Sequence, residues 1–342
     1  MPPPPQPPGT PTPSRARIGL AYVQVLLAGI LWGTSGPFSL ALYRLGVPPE
    51  SVALLRPATG AAFLFIFVLV MRARSKGWRD RLSPGERQPA GGAGGWGWGT
   101  PGLLPGMLLL GGLIVGTFQF AYQMSTESVG VPATVALLYL APALVVAASL
   151  PLFGERISLA KSALVALSVG GVWLTVFGTR GVDIEITTSG ILWGCLCGLS
   201  YAAYTLFGKW YGRMEGPLLP LFWSTLGGTI LLALAHAWRG EALVLPTNLL
   251  GWSVLLAFGL LTMALAALFL FNGMRTLEAG RASIGTTVEP LVATLLAWSL
   301  FGQTLTPTGI LGLVLLVTGV AGAYALRGPR HRRDTPDGAQ PH

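Results

Sequence analysis

Two charged side chains stand well inside apolar runs of this chain, away from their ends: Arg56, within 51–71, and Glu289, within 283–301. A charge at membrane depth costs about 2.5–3.5 kcal/mol on insertion scales, so a chain that keeps one there has a use for it. If its run is helical, Glu289 lies about seven residues, or about 10 Å, from one end. An acid at that depth needs a partner, water or a proton. It suits proton coupling or the grip of a substrate amine, with a neutral acid hydrogen-bonded inside the bundle as the structural alternative. Arg56 is about six residues, or about 9 Å, from the opposite face. It can bind a substrate anion or anchor the helix with its stem reaching the surface.

Proline and aromatic positions add a second group. Pro142 and Pro290 each remove a helix hydrogen bond and free the carbonyls of Leu138 and Thr286. Broken spans are tolerated where they line a cavity, and Tyr139 lies within one turn of such a break; a plain packing kink is the alternative. Trp32 and Trp193 each stand beside glycines spaced by four, which favours close helix packing, while the indoles can also wall a cavity for organic cations. Gln119 and Asn272 place polar groups in apolar runs, where they line a path or bridge helices. Cys195 and Cys197, two apart, point away from one another on a helix and form neither a bridge nor a metal site. Neither a nucleophile–base nor a paired-carboxylate constellation is present, and no Gly-rich loop ends in Gly-Lys-Ser/Thr. No enzyme activity, cofactor or metal is therefore expected; a proton is the ion that Glu289 would couple.

The elements that must position these residues follow from composition. Of 342 residues, 52% are hydrophobic and 10% charged, against about 25% charged in a soluble domain. A mean hydropathy of +0.62 agrees. These values exclude a soluble enzyme, a nucleic-acid binder and a disulfide-stapled secreted domain. Ten runs are near the ~20 residues that cross a bilayer: 19–40, 51–71, 103–124, 131–152, 159–177, 190–207, 218–237, 249–271, 283–301 and 309–326. The first is too long for a signal-peptide core and lacks a convincing cleavage site, so it stays as a membrane helix. Residues 1–17 read as a disordered Pro-rich tail, 327–342 as a basic tail, and 72–101 as a flexible loop, basic and then Gly/Trp-rich. Alternate loops divide the Lys and Arg residues eighteen to three, with Arg44, Arg180 and Arg239 on the poorer side and Arg56 within a span. The positive-inside rule then puts both termini in the cytoplasm and accounts for the net charge of +9 without nucleic acid.

The chain also repeats itself. Gly29-Ile30-Leu31-Trp32-Gly33 recurs as Gly190-Ile191-Leu192-Trp193-Gly194, 161 residues later. Pro142 and Leu152-Phe153-Gly154 match Pro290 and Leu300-Phe301-Gly302 at an offset of 148. Two repeats, 18–179 and 180–326, each hold five spans, an odd number, so the halves insert with opposite orientation. Inverted repeats characterise secondary transporters, with substrate bound near the midplane between the halves.

These features resemble the EamA branch of the drug/metabolite transporter superfamily: Leu-Trp-Gly in the first and sixth spans, Arg56 early in the second, and a small–Pro–apolar–Gly-Glu-Arg pattern from Ala133 to Arg156 echoed around Glu289-Pro290. The likeness runs from Gly19 to Leu326, with one departure, Gly302-Gln303 where the first half has Gly154-Glu155. It implies a bacterial inner-membrane carrier that moves small metabolites, amino acids or drugs, often outward, without ATP. The expectation is thus an all-α membrane protein of ten transmembrane helices in two inverted five-helix repeats, exporting small metabolites such as amino acids. Multidrug efflux is the alternative within transport, and a membrane enzyme or scaffold the alternative outside it. The expected partners are a small-molecule substrate and the lipid bilayer. Gly112 and Gly116 can pack within one subunit or between two subunits of a homodimer.

Overall fold

The computed structural model describes residues 15–80, 100–141, 144, 159–181, 184–215, 218–274 and 286–325. The helices are α1 (Arg15–Gly33), α2 (Ser35–Arg44), α3 (Pro49–Asp80), α4 (Gly111–Val129), α5 (Val131–Leu138), α6 (Leu159–Gly178), α7 (Thr188–Glu215), α8 (Leu218–Arg239), α9 (Leu249–Phe258), α10 (Ala266–Met274), α11 (Glu289–Phe301) and α12 (Pro307–Ala325). Wide π turns lead into α4 (Gly106–Leu110) and join α9 to α10 (Gly259–Leu265). Among the described residues six helical segments are long and apolar enough to cross a membrane, and three shorter apolar ones accompany them. The fourth expected span, 131–152, is described only for 131–141 and 144, so Pro142 and Glu155 lie outside the described residues.

The first expected span is two helices. Thr34 Oγ1 donates to Leu31 O at 2.6 Å, its N–H bonds the same carbonyl, and Pro37 cannot donate to Gly33 O. The helix therefore turns at Thr34. The ninth expected span, described from 286 on, is also broken: Thr286 is helical, Thr287 and Val288 form a turn, and Glu289 and Pro290 open α11. Proline is suited to a first helical turn, where its missing N–H would have had no partner. Pro290 thus stands in the first turn of α11, directly after the turn that interrupts the span.

Glycines let several helices meet backbone to backbone. A Cβ at Gly112 would lie 2.6 Å from Gly227 C, and one at Gly33 would lie 2.9 Å from Glu289 O. Gly198 faces Leu137 O, and Gly312 faces Thr175 N. The Gly112/Gly116 stripe therefore packs against α8 within the subunit. Contacts join α1 to α10 and α11, α3 to α8 and the 249–265 segment, α4 to α7 and α8, α5 to α7 and α11, and α6 to α12. A two-residue antiparallel ladder, β1 (Thr179–Arg180) with β2 (Thr304–Leu305), ties the end of α6 to the start of α12. Large apolar side chains such as Leu109, Leu192, Leu234 and Ile310 remain on the outside, as a lipid-facing surface requires.

Candidate functional site

Arg56 stands in the second turn of α3, followed directly by Pro57. Only 3% of it is exposed. Its guanidinium turns inward instead of snorkelling. Nη1 donates to Gln119 Oε1 at 3.1 Å, and Nη2 donates to Ser35 Oγ and Thr262 Oγ1, each at 3.2 Å. Cζ lies 4.5 Å from the Phe258 ring centroid and 5.6 Å from that of Tyr122, so aromatic faces flank the cation. Nε has no acceptor.

The partners come from places that bring hydroxyls and amides to depth. Ser35 opens α2 just after the break at Thr34. Gln119 is buried on α4, where its Nε2 also reaches Met263 Sδ at 3.3 Å. Thr262 lies in the π turn between α9 and α10. Such turns interrupt the regular ladder and often mark functional positions. Trp32 Nε1 donates to Thr262 O at 2.9 Å, so this indole makes a specific polar contact next to Arg56. One turn beyond Gln119, Gln123 Oε1 accepts from Tyr43 Oη at 2.6 Å, while its buried Nε2 has no partner.

Glu289, 8% exposed, opens α11. Tyr139 Oη lies 3.2 Å from Glu289 Oε2 and 3.0 Å from Thr286 O. The single hydroxyl proton can go to either oxygen. Donation to Thr286 O leaves Oη as acceptor for a protonated Glu289, whereas an ionised Glu289 accepts the hydrogen bond that the Tyr139 hydroxyl donates. The pair can therefore carry a proton in one of two hydrogen-bond arrangements.

Arg56 and Glu289 are not in contact. Among the described residues the ion pair within 4.0 Å joins Arg239 to Glu241, at 3.5 Å. Adjacent residues of α1 nevertheless touch both surroundings: Trp32 bonds the carbonyl of Thr262, which holds Arg56, and Gly33 packs on the Glu289 carbonyl. Arg56, Gln119, Trp32, Tyr139 and Glu289 thus belong to one neighbourhood. Trp193 is half-buried against the apolar core that includes Tyr122 and Tyr139, edge-on to Phe120 with ring centroids 5.5 Å apart. Asn272 is exposed on α10 and joins no part of this cluster. Sequence reasoning missed Ser35, Thr262 and Phe258 around Arg56. It also missed the use of Gln303, whose Oε1 accepts from Val131 N at 2.9 Å.

The EamA-like transporter family model matches the chain twice, over residues 19–177 and 188–325. A protein named as an uncharacterized transporter of Archaeoglobus fulgidus is 28% identical over 305 residues, 88% of this chain and 94% of its own. The threonine/homoserine exporter RhtA of Escherichia coli (strain K12) is 25% identical over 308 residues, 89% and 90% of the two chains. A solved crystal structure has the same fold at TM-score 0.59 and 22% identity, covering 91% of this chain and 97% of that one. With two matches that leave only the tails and a short connector uncovered, this multi-pass membrane protein belongs to the EamA-like transporter family.

Proposed function

We propose that the protein is a secondary active exporter of small metabolites such as amino acids, working by alternating access between two inverted five-helix halves in the bacterial inner membrane, with both termini cytoplasmic. The observation that carries this reading is that both buried charges are bridged across the two family-matched segments. Arg56 of the first bonds Thr262 of the second, and Tyr139 of the first bonds Glu289 of the second. A polar site at such a seam is where two rocking halves would expose a ligand to each side in turn.

Packing supports the inverted-repeat part of the proposal. The pairing of α1 with α11 becomes that of α7 with α5 when first-half elements are exchanged for second-half ones. In the same exchange α3 against 249–265 becomes α8 against α4, and the α6–α12 pair maps onto itself. The amino-acid part draws on the similarity to the threonine/homoserine exporter. Such a carrier acts without ATP and is not an enzyme; Glu289 is its candidate for proton coupling. Counterflow in liposomes tests it: labelled L-threonine or L-homoserine should exchange across the bilayer with no nucleotide present. No exchange of any amino acid, sugar or drug in a broad panel would overturn the transporter reading.

A further inference from the structure

We propose that Arg56 and Glu289 are the two ends of one binding site for a zwitterionic α-amino acid, the guanidinium taking its carboxylate and the Glu289 carboxylate its ammonium. This rests on the exporter reading and narrows it to solutes that carry both charges.

The surroundings of Arg56 ask for an anion. Every hydrogen-bond acceptor on its guanidinium is neutral: an amide oxygen from Gln119 and two hydroxyls from Ser35 and Thr262. Neutral acceptors fix the fork but leave its charge uncompensated, and a buried charge without a counter-charge is costly. Phe258 and Tyr122 lie against the cation, which leaves its donor edge as the line of approach. A carboxylate is the planar anion that matches such an edge. It would take the unpartnered Nε–H and share the Nη2 side with the two hydroxyls. Thr262 loses little by yielding, because its hydroxyl also reaches Phe258 O at 2.8 Å.

Glu289 asks for the opposite charge. Its described hydrogen bond is to Tyr139, and no Lys, Arg or His nitrogen among the described residues lies within 4.0 Å. The two charges are joined through one turn of α1. Trp32 bonds the carbonyl of Thr262, whose hydroxyl holds Arg56, and Gly33 packs on the backbone of Glu289. Were stability the only requirement, a direct Arg56–Glu289 pair would neutralise both. Held apart, they are both neutralised by a ligand that brings one charge of each sign. A simple amine or a hydrophobic cation would answer Glu289 and leave Arg56 bare, so the site selects against drug-like cations.

The test uses three probes on the purified full chain: L-threonine, threoninol, which lacks the carboxylate, and 3-hydroxybutyrate, which lacks the ammonium. Counterflow competition should favour L-threonine over each analogue by at least about tenfold, the scale of one hydrogen bond to a charged group. Arg56→Gln should erase the preference over threoninol and keep that over 3-hydroxybutyrate; Glu289→Gln should do the reverse. These are ratios within the folded fraction, so partial loss of protein does not alter them. If neither variant yields folded protein, the parent's own ranking of the three probes decides. A parent that exchanges L-threonine but takes either analogue equally well overturns this site and leaves the exporter reading standing. A parent that exchanges other solutes but no amino acid overturns this site and the amino-acid part of the exporter reading, while transport itself stands. Variants that keep the parent's preferences overturn the assignment of the charges.

Discussion

Gln303 shows how a single amide can hold two distant segments together. Gly302, at φ +69°, ends α11 and turns the chain so that the next side chain reaches the break between α4 and α5. There Gln303 accepts from Val131 N, a buried donor at the start of α5 that has no carbonyl of its own helix to bond. Gln303→Leu should leave that donor unpaired and lower stability by about 1–3 kcal/mol. Gln303→Glu keeps an acceptor and should lose less. Thermal melts of the two variants in the same detergent check the order; equal melting for Gln303→Leu and the parent would remove the role. Tyr139→Phe, in contrast, takes away the hydroxyl shared by Thr286 O and Glu289 Oε2. It should change the pH dependence of transport more than the melting temperature, and an unaltered pH profile would count against a proton held there. Arg56 and Glu289 were legible in the sequence because charge is rare in apolar runs. Their hydroxyl partners were not. Serines and threonines in membrane helices usually bond a carbonyl one turn back, as Thr59 and Thr175 do here, so nothing marks Thr262 as different until the fold places it beside Arg56.

Between elements, the glycine spacing told more about contact than about partner. Gly112 and Gly116 read as a close-packing stripe from sequence alone, yet only the fold shows that it meets Gly227 and Gly228 of α8. Gly112→Val places its methyls against the backbone of Gly227, which cannot rotate away as a side chain would. The helices must then separate, at a cost of about 1–3 kcal/mol or more. Gly208→Ala is the matched control, since nothing lies within 4 Å of the added Cβ in α7 and a helix interior favours alanine by about 0.5–1 kcal/mol. Melting temperatures should fall for the first variant and hold or rise for the second; parity between them would refute the backbone contact. The breaks were harder to read. A π turn such as Gly259–Leu265 changes the hydrogen-bond ladder without changing the apolar composition of its run. Thr34 likewise stops a helix through a local side-chain bond that hydropathy does not register. Pro290 was visible, but a proline announces only that a helix bond is missing, and the same residue serves a kink or a beginning.

For the molecule as a whole, the duplication was legible in short repeated strings, while the proposed orientation of the halves rests on charge. Matching pentapeptides 161 residues apart foreshadowed two family matches in one chain. The α6–α12 contact and the two-residue ladder between Thr179–Arg180 and Thr304–Leu305 then bring the end of the first segment's last helix beside the start of the second segment's last helix. Equivalent helices that meet end to start run antiparallel, as the proposed inversion of the halves requires. Topology therefore follows from which loops carry cations. Arg44, Arg180 and Arg239 stand on the side poor in Lys and Arg, where the positive-inside rule places the cell exterior. Arg180 and Arg239 are exposed: Arg180 bonds nearby carbonyls, and Arg239 pairs with Glu241 at 3.5 Å and lies 5.9 Å from the Phe120 ring centroid. Cysteine can replace either at little cost, once Cys195 and Cys197 have been changed to Ala. A membrane-impermeant maleimide added to intact cells should label cysteine at 180 and 239, and should reach cysteine at 79 and 213 only after permeabilisation. The reverse pattern would turn the protein over in the membrane. Labelling of 180 from one side and 239 from the other would break the alternation of the loops, and with it the inverted halves on which alternating access depends.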